Sequence, residues 1–167
     1  AIIFPVPPGR IEFRDLVHGP ISVDTTLFEK LVLMKSDGSP AYNFACVVDD
    51  ADMKITHVIR GDDHVANTPK QIVLYQALGL TPPQYAHIPL ILAPDKSKLS
   101  KRHGAVSVNE YRAQGFIPAA LINYLALLGW APRDGREIVP IEEMIEQFEL
   151  SDVNKSAAFF DIAKLEH

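Results

Sequence analysis

The sequence predicts an α/β fold, and three observations carry that prediction. A strand-like run that stops at a glycine, "KITHVIRG" (54–61), leads into a helix-patterned run, "NTPKQIVLYQALG" (67–79). The nearly continuous apolar run "AHIPLILA" (86–93) follows, and a short apolar run without alternation suits a strand buried on both faces. Strand, helix and strand in that order read as a βαβ unit with a parallel pair, whereas the pattern beyond residue 105 is helical. At 167 residues and 47% hydrophobic, the chain fills one ordinary core, or a core plus a small appendage.

The first forty residues carry Pro5, Pro7, Pro8, Gly9 and Gly19 between short apolar stretches such as "KLVLMK", which predicts strands and turns. "SDGSP" (36–40) is a turn signal. "AYNFACVVDD" (41–50) is rich in β-forming residues and is expected to be a strand ending in an acidic turn. In the helix that follows "KITHVIRG", Asn67 or Thr68 is the N-cap and Pro69 stands in the first turn. Ile72, Val73, Leu74 and Ala77 make its apolar face, and Gly79 ends it. Ser107 and Glu110 have capping-box spacing. "PAALINYLALLGW" predicts an apolar helix from Pro118 to Gly129, and "PIEEMIEQF" an amphipathic one after Pro140. The closing "SAAFFDIAKLEH" lacks the cap or polar tail of a natural terminus and reads as a truncation.

Charge and cysteine usage exclude several classes. A net charge of −5 and a sequence pI near 5.6 argue against a surface coated in positive potential, and acidic residues are dense from Asp134 to Asp152. No apolar run approaches the roughly 20 residues of a membrane span, and "AIIFPVPPGR" lacks the basic start, long apolar stretch and cleavage site of a secretory leader, so the expected setting is cytoplasmic, with no membrane partner. The single Cys46 excludes an internal disulfide and a zinc site built from several thiolates. His57, His87 and His103 show no ligand spacing, and Asp49, Asp50 and Asp52 suit an acidic turn better than a cation site. No metal site is expected in the protein.

In a parallel α/β unit, ligands sit outside the carboxyl ends of the strands. "RGDDH" (60–64) leaves the first strand of the βαβ unit, and "PDKSKLSKRHG" (94–104) leaves the second. Arg60 has the fork geometry for two parallel hydrogen bonds to a carboxylate or phosphate. Lys96, Lys98, Lys101, Arg102 and His103 crowd eight positions, a density suited to covering a polyphosphate from a loop hinged at Gly104. A solvated basic turn is the commoner fate of such a cluster, and charge alone favours it.

The wording of the chain tips that balance. "KLSKR" (98–102) resembles the Lys-Met-Ser-Lys-Ser signature loop of class I aminoacyl-tRNA synthetases. "PAYNFACVVDD", "ITHVIRGDDHVANTPKQIVLYQALG", "KLSKRHGAVSV" and "LINYLALLGW", in that order, resemble bacterial glutamyl-tRNA synthetases across essentially the whole chain.

The resemblance implies the second half of a class I synthetase Rossmann-like nucleotide-binding fold, followed by a small helical stem-contact region. It divides the chain into the end of an acceptor-stem-contacting insertion (1–40), the second half of the catalytic fold with the signature loop (41–105) and the helical region (106–167). The implied reaction joins glutamate to ATP as glutamyl-adenylate, releases pyrophosphate, and passes the glutamyl group to tRNA(Glu). Mg2+ accompanies the ATP, and the first step is expected to need bound tRNA. Lys98, Leu99, Ser100, Lys101 and Arg102 match the signature loop, with Lys101 the position that stabilises the transition state. Asp63 matches an acidic position near the adenosine, and Leu90 and Ile91 a strand end that receives the adenine. Tyr42 and Arg60 match positions that hold the amino acid, with Cys46 one turn of strand along the same wall, where some members carry asparagine.

Each of these residues also has an ordinary structural reading. Tyr42 suits a strand core, Arg60 a surface ion pair with Asp62 or Asp63, His64 a helix cap, and Cys46 a small buried hydrophobe. Leu90 and Ile91 are core residues on either reading. The resemblance also leads one to expect a His-Ile-Gly-His-like segment and anticodon-reading helical domains, and neither stands in these 167 residues. A chain without them is expected to lack full activity, which leaves two further readings: a noncatalytic nucleotide- or RNA-binding module, and a tRNA-modifying glutamyl paralogue.

Overall fold

The computed structural model describes residues 1–97, 99 and 107–166. The chain packs as two compact units, Ala1–His87 and Ile88–His167.

Strands fill the start of the first unit, as its proline and glycine punctuation predicts. β1 (Ile2–Pro5) pairs antiparallel with β4 (Lys30–Met34). Between them β2 (Arg10–Asp15) and β3 (Gly19–Asp24) form an antiparallel hairpin, closed where Gly19 takes a φ of +88° that a side chain would resist. The "SDGSP" turn follows β4, with the Lys35 N–H bonded to the Ser39 carbonyl.

The next segment departs from expectation. Residues 42–52 form a helix, α1 (Tyr42–Asp52), where β-forming composition predicts a strand. Phe44, Val47 and Ala51 recur at helical spacing and pack into the core, Val47 with no exposure at all. An available apolar surface thus outweighs a β propensity worth at most about 1 kcal/mol per residue. Asp49, Asp50 and Asp52 accordingly lie within the helix, where an acidic turn is predicted. Lys54, at a left-handed φ of +56°, closes α1 and reverses the chain into β5 (His57–Gly61).

A 3-10 turn (Asp62–Asn67) joins β5 to α2 (Thr68–Ala77), which is buried from Gln71 through Tyr75, while Ala77, expected on its apolar face, is exposed in the last turn; Gly79 follows it at a φ of +69°. β6 (Gln84–Ile88) then enters a four-stranded sheet of order β3-β2-β6-β5, beside β5 as the strand-helix-strand pattern predicts. β6 runs parallel to β2. The apolar run 86–93 is not one strand: it breaks at Pro89, which has no N–H to donate, and resumes as β7 (Ile91–Leu92) in another sheet.

The second unit is mainly helical. β7 pairs parallel with β8 (Ala158–Phe159). α3 (Val108–Ala113) begins with the predicted capping box, Ser107 and Glu110 each bonding the other's backbone N–H. α4 (Pro118–Gly129) and α5 (Ile141–Gln147) stand where the sequence puts them, and α6 (Ile162–Glu166) follows β8. Tyr111, Leu121, Tyr124, Phe160 and Leu165 make the core of this unit. Among the described residues, no helix is long and apolar enough to cross a membrane.

Candidate active site

The site in the first unit grows from the end of β5. Arg60, one residue before the strand ends at Gly61, turns its guanidinium into a buried polar cluster. Its Nε–H donates to His87 Nε2 at 3.1 Å. Its Nη2 donates to Thr68 Oγ1 at 2.8 Å, to Gln71 Oε1 at 3.0 Å and, more weakly, to the His64 carbonyl at 3.5 Å. Thr68 and Gln71, one α-helical turn apart on α2, therefore present their polar groups to the same arginine. Its Cζ lies 5.7 Å from the centroid of the Tyr85 ring, which stacks nearly parallel to His87. The surface ion pair with Asp62 or Asp63 gives way to this inward anchoring.

Behind the arginine lies a pair joined across 72 residues of sequence: His87 Nδ1 sits 2.6 Å from Asp15 Oδ2. Asp15, His87, Thr68 and Gln71 are all buried. Asp15 Oδ1 accepts the backbone N–H groups of Val17 (2.9 Å) and His18 (2.8 Å), and the His87 N–H reaches the carboxylate at 3.1 Å. Burial by itself would raise the Asp15 pKa, but the hydrogen bonds from His18, His87 and Val17 together hold it below the carboxylate range. Burial is also the largest influence on His87 and holds it below its usual value, despite the upward pull of Asp15.

At the outer side of Arg60, Tyr42 opens α1 and is half exposed. Its hydroxyl lies 3.3 Å from His64 Nδ1, to which Asn67 Nδ2 also comes within 3.1 Å. Burial first, and then the Cys46 thiol, raise the Tyr42 pKa, while Arg60 opposes them. Tyr42 therefore neighbours both Cys46 and Arg60. Cys46 stands one helical turn beyond Tyr42, not one turn of strand as expected.

Asp63 is exposed in the turn that carries His64. Leu90, Ile91 and Leu99 are half-buried residues of the second unit. Leu90 lies outside any strand, and Ile91 and Leu99 pack on the core of that unit. Lys98, Ser100, Lys101, Arg102 and the Gly104 hinge lie outside the described residues. Among the described residues, no group of three or more His, Cys, Asp or Glu side chains is placed to hold a metal ion.

Sequence reading missed Asp15, Thr68 and Gln71 as members of this site, and considered His87 only as a metal ligand. One signal was available for His87. A histidine inside an apolar strand buried on both faces needs a polar partner.

Comparison with known proteins bears on this geometry. The profile of class I tRNA synthetases (E and Q), catalytic domain, matches residues 4–167. The chain belongs to that family. It is 58% identical over 167 residues to a glutamate–tRNA ligase of Aquifex aeolicus, covering 99% of this chain and 35% of the relative. A glutamate–tRNA ligase of Sulfurihydrogenibium is 55% identical over 164 residues, covering 98% of this chain and 34% of the relative. The crystal structure of a glutamate tRNA ligase from Elizabethkingia meningosepticum, in complex with its amino acid, superposes with a TM-score of 0.88 at 39% identity. The match covers 96% of this chain and 36% of that one. The chain thus spans about a third of the length of the relatives it matches. An α/β catalytic fold of the class I synthetases, expected from the motifs, is what this family has.

Proposed function

We propose that this chain is the amino-acid- and ATP-contacting part of a glutamate–tRNA ligase, an ATP-dependent enzyme. In the reaction a carboxylate oxygen of L-glutamate attacks the α-phosphate of ATP, and glutamyl-adenylate forms as pyrophosphate leaves. The glutamyl group then passes to the terminal adenosine of tRNA(Glu). One observation supports this above the others: in a chain of this family, a guanidinium anchored by four inward partners stands near the Tyr42 phenol, which in turn neighbours the Cys46 thiol. A cation held this firmly loses little freedom when it takes an anion, so more of the interaction reaches the affinity.

Arg60 on this reading pairs with a glutamate carboxylate, and Tyr42 and Cys46 line the same pocket. Asp63 faces the adenosine, and Leu90 and Ile91 receive the adenine. Lys98, Leu99, Ser100, Lys101 and Arg102 bind the phosphates, where Lys101 offsets the negative charge that grows on the nonbridging oxygens. Mg2+ enters with the ATP. Residues 1–40 complete an insertion that contacts the tRNA acceptor stem, 41–105 form the second half of the nucleotide-binding fold, and 106–167 contact the stem. The setting is the cytoplasm.

A thermal-shift titration with a nonhydrolysable glutamyl-adenylate analogue tests the reading. The analogue is expected to stabilise the chain, and Arg60→Ala and Lys101→Ala each to weaken that stabilisation. A folded chain that shows no shift overturns the assignment of these residues as a formed pocket.

A further inference from the structure

The donors around His87 determine which of its nitrogens accepts. Arg60 Nε carries one hydrogen and no acceptor lone pair, and it points at His87 Nε2 from 3.1 Å. Nε2 must therefore be the accepting nitrogen, because an N–H there would meet another N–H. The Thr68 hydroxyl, also 3.1 Å from Nε2, accepts from Arg60 Nη2 and, as a donor, shares the single Nε2 lone pair with the Arg60 Nε–H. With Nε2 unprotonated, the imidazole proton sits on Nδ1, where Asp15 Oδ2 accepts it at 2.6 Å. A neutral His87 is also the form that its burial favours. The two hydrogens of Nη2 go to Thr68 and Gln71, with the more distant His64 carbonyl sharing one of them, whereas none of these residues takes a hydrogen bond from Nη1.

We infer that Asp15 and His87 are positioning residues: Asp15 selects the His87 tautomer whose Nε2 lone pair orients the Arg60 guanidinium, leaving its Nη1 for a ligand carboxylate. The inference goes beyond the proposed glutamate contact and rests on it only for the identity of the ligand. It also limits the grip that Arg60 has. The Nε side of the fork is spent inward, so a carboxylate meets Nη1 and the pocket wall instead of two parallel bonds from Nε and Nη2.

Substituting Asp15 by asparagine separates positioning from mere packing. The backbone N–H groups of Val17 and His18 hold Oδ1, so an amide at this position keeps its oxygen there and puts its NH2 where Oδ2 stood, and the His87 backbone N–H, which reaches Oδ2 at 3.1 Å and Oδ1 at 3.3 Å, keeps Oδ1 as its acceptor. That NH2 faces His87 Nδ1 and demands a lone pair from it. The proton then moves to Nε2 and opposes the Arg60 Nε–H, an inversion of tautomer in a side chain of nearly unchanged volume.

The experiment uses the 167-residue chain labelled with 15N in histidine and arginine. Two-bond 1H–15N correlations report the tautomer, exchange of the Arg60 Nε–H reports its anchoring, and titration with the nonhydrolysable glutamyl-adenylate analogue reports affinity. The wild-type chain is expected to show His87 protonated on Nδ1 and a slowly exchanging Arg60 Nε–H. Asp15→Asn is expected to move the proton to Nε2, speed that exchange and weaken the analogue about tenfold. His87→Gln, which keeps an acceptor for Arg60, is expected to retain more affinity than His87→Leu. A wild-type His87 protonated on Nε2, or on both nitrogens, overturns the inference even if Asp15→Asn does not fold. So does a tautomer change in Asp15→Asn that alters neither exchange nor affinity. Failure of the wild-type chain to bind the analogue, with tautomer and exchange as expected, overturns the glutamate reading and leaves the positioning of Arg60 established.

Discussion

Two arginines, one in each unit, bring out what burial does to the same side chain. Arg136 makes the shorter bonds: Nε to Asp134 at 2.7 Å and Nη2 to Glu143 at 2.6 Å, with all three side chains between 40% and 48% exposed. Arg60 makes no bond below 2.8 Å, and the partners it meets through Nε and Nη2 side-chain contacts are neutral and buried. Length alone would rank Arg136 first. The dielectric reverses the order, because water competes for every exposed bond and screens the charges, whereas a buried donor left without its acceptor has no substitute. The buried cluster therefore specifies one geometry, and the exposed one decorates a loop.

Removing the centre of the buried cluster should separate the two most strongly. His87→Leu strips Asp15 and Arg60 of a partner at once, and a loss of about 3 kcal/mol in urea unfolding is expected. A loss below about 1 kcal/mol would place this cluster with the surface pairs.

Acid should sharpen the contrast further. His87 lies below its ordinary value of 6.5 in the fold, so the unfolded chain takes up a proton first as the pH drops. The stability this contributes is complete above 6.5 and is lost as the pH falls through the folded value. Asp15, held below its ordinary 3.8, adds a second loss of the same sign at lower pH. Thermal unfolding from pH 7.5 downward should show the first decline, and His87→Gln should flatten it. An unchanged slope in that variant would assign the decline to other groups.

A smaller effect belongs to the helix cap. Ser107→Ala removes the hydroxyl that accepts the Glu110 N–H at 3.3 Å and should cost about 1 kcal/mol. Smallest of all, Arg136→Ala should leave the midpoint of thermal unfolding where it was, despite its short bonds. A clear drop there would break the comparison from the other side.

The elements that were legible in the sequence share a local cause. α2 begins near Pro69, α3 follows Ser107 with Glu110, and α4 runs from Pro118 to Gly129, each bounded by residues that act on the backbone next to them. Residues 42–52 were not legible, because Tyr42, Phe44, Val47 and Val48 favour a strand by composition and a helix by spacing. The core decided between them when it received Val47. The site divides in the same way. Tyr42, Cys46 and Arg60 were singled out through the motifs around them, and the fold puts Tyr42 near both of the others. Asp15 stood in an early segment with nothing to single it out, and His87 showed only that it needed a partner.

The sequence by itself determined the family, the places where most helices start and stop, and the chemistry available along the chain. These depend on neighbours a few residues apart, which the order of amino acids states directly. The tertiary structure alone decided that Asp15 and His87, 72 residues apart, are hydrogen-bonded to each other behind Arg60. That pairing exists only once β2 and β6 lie side by side and exclude water, since in solvent neither group would prefer the other.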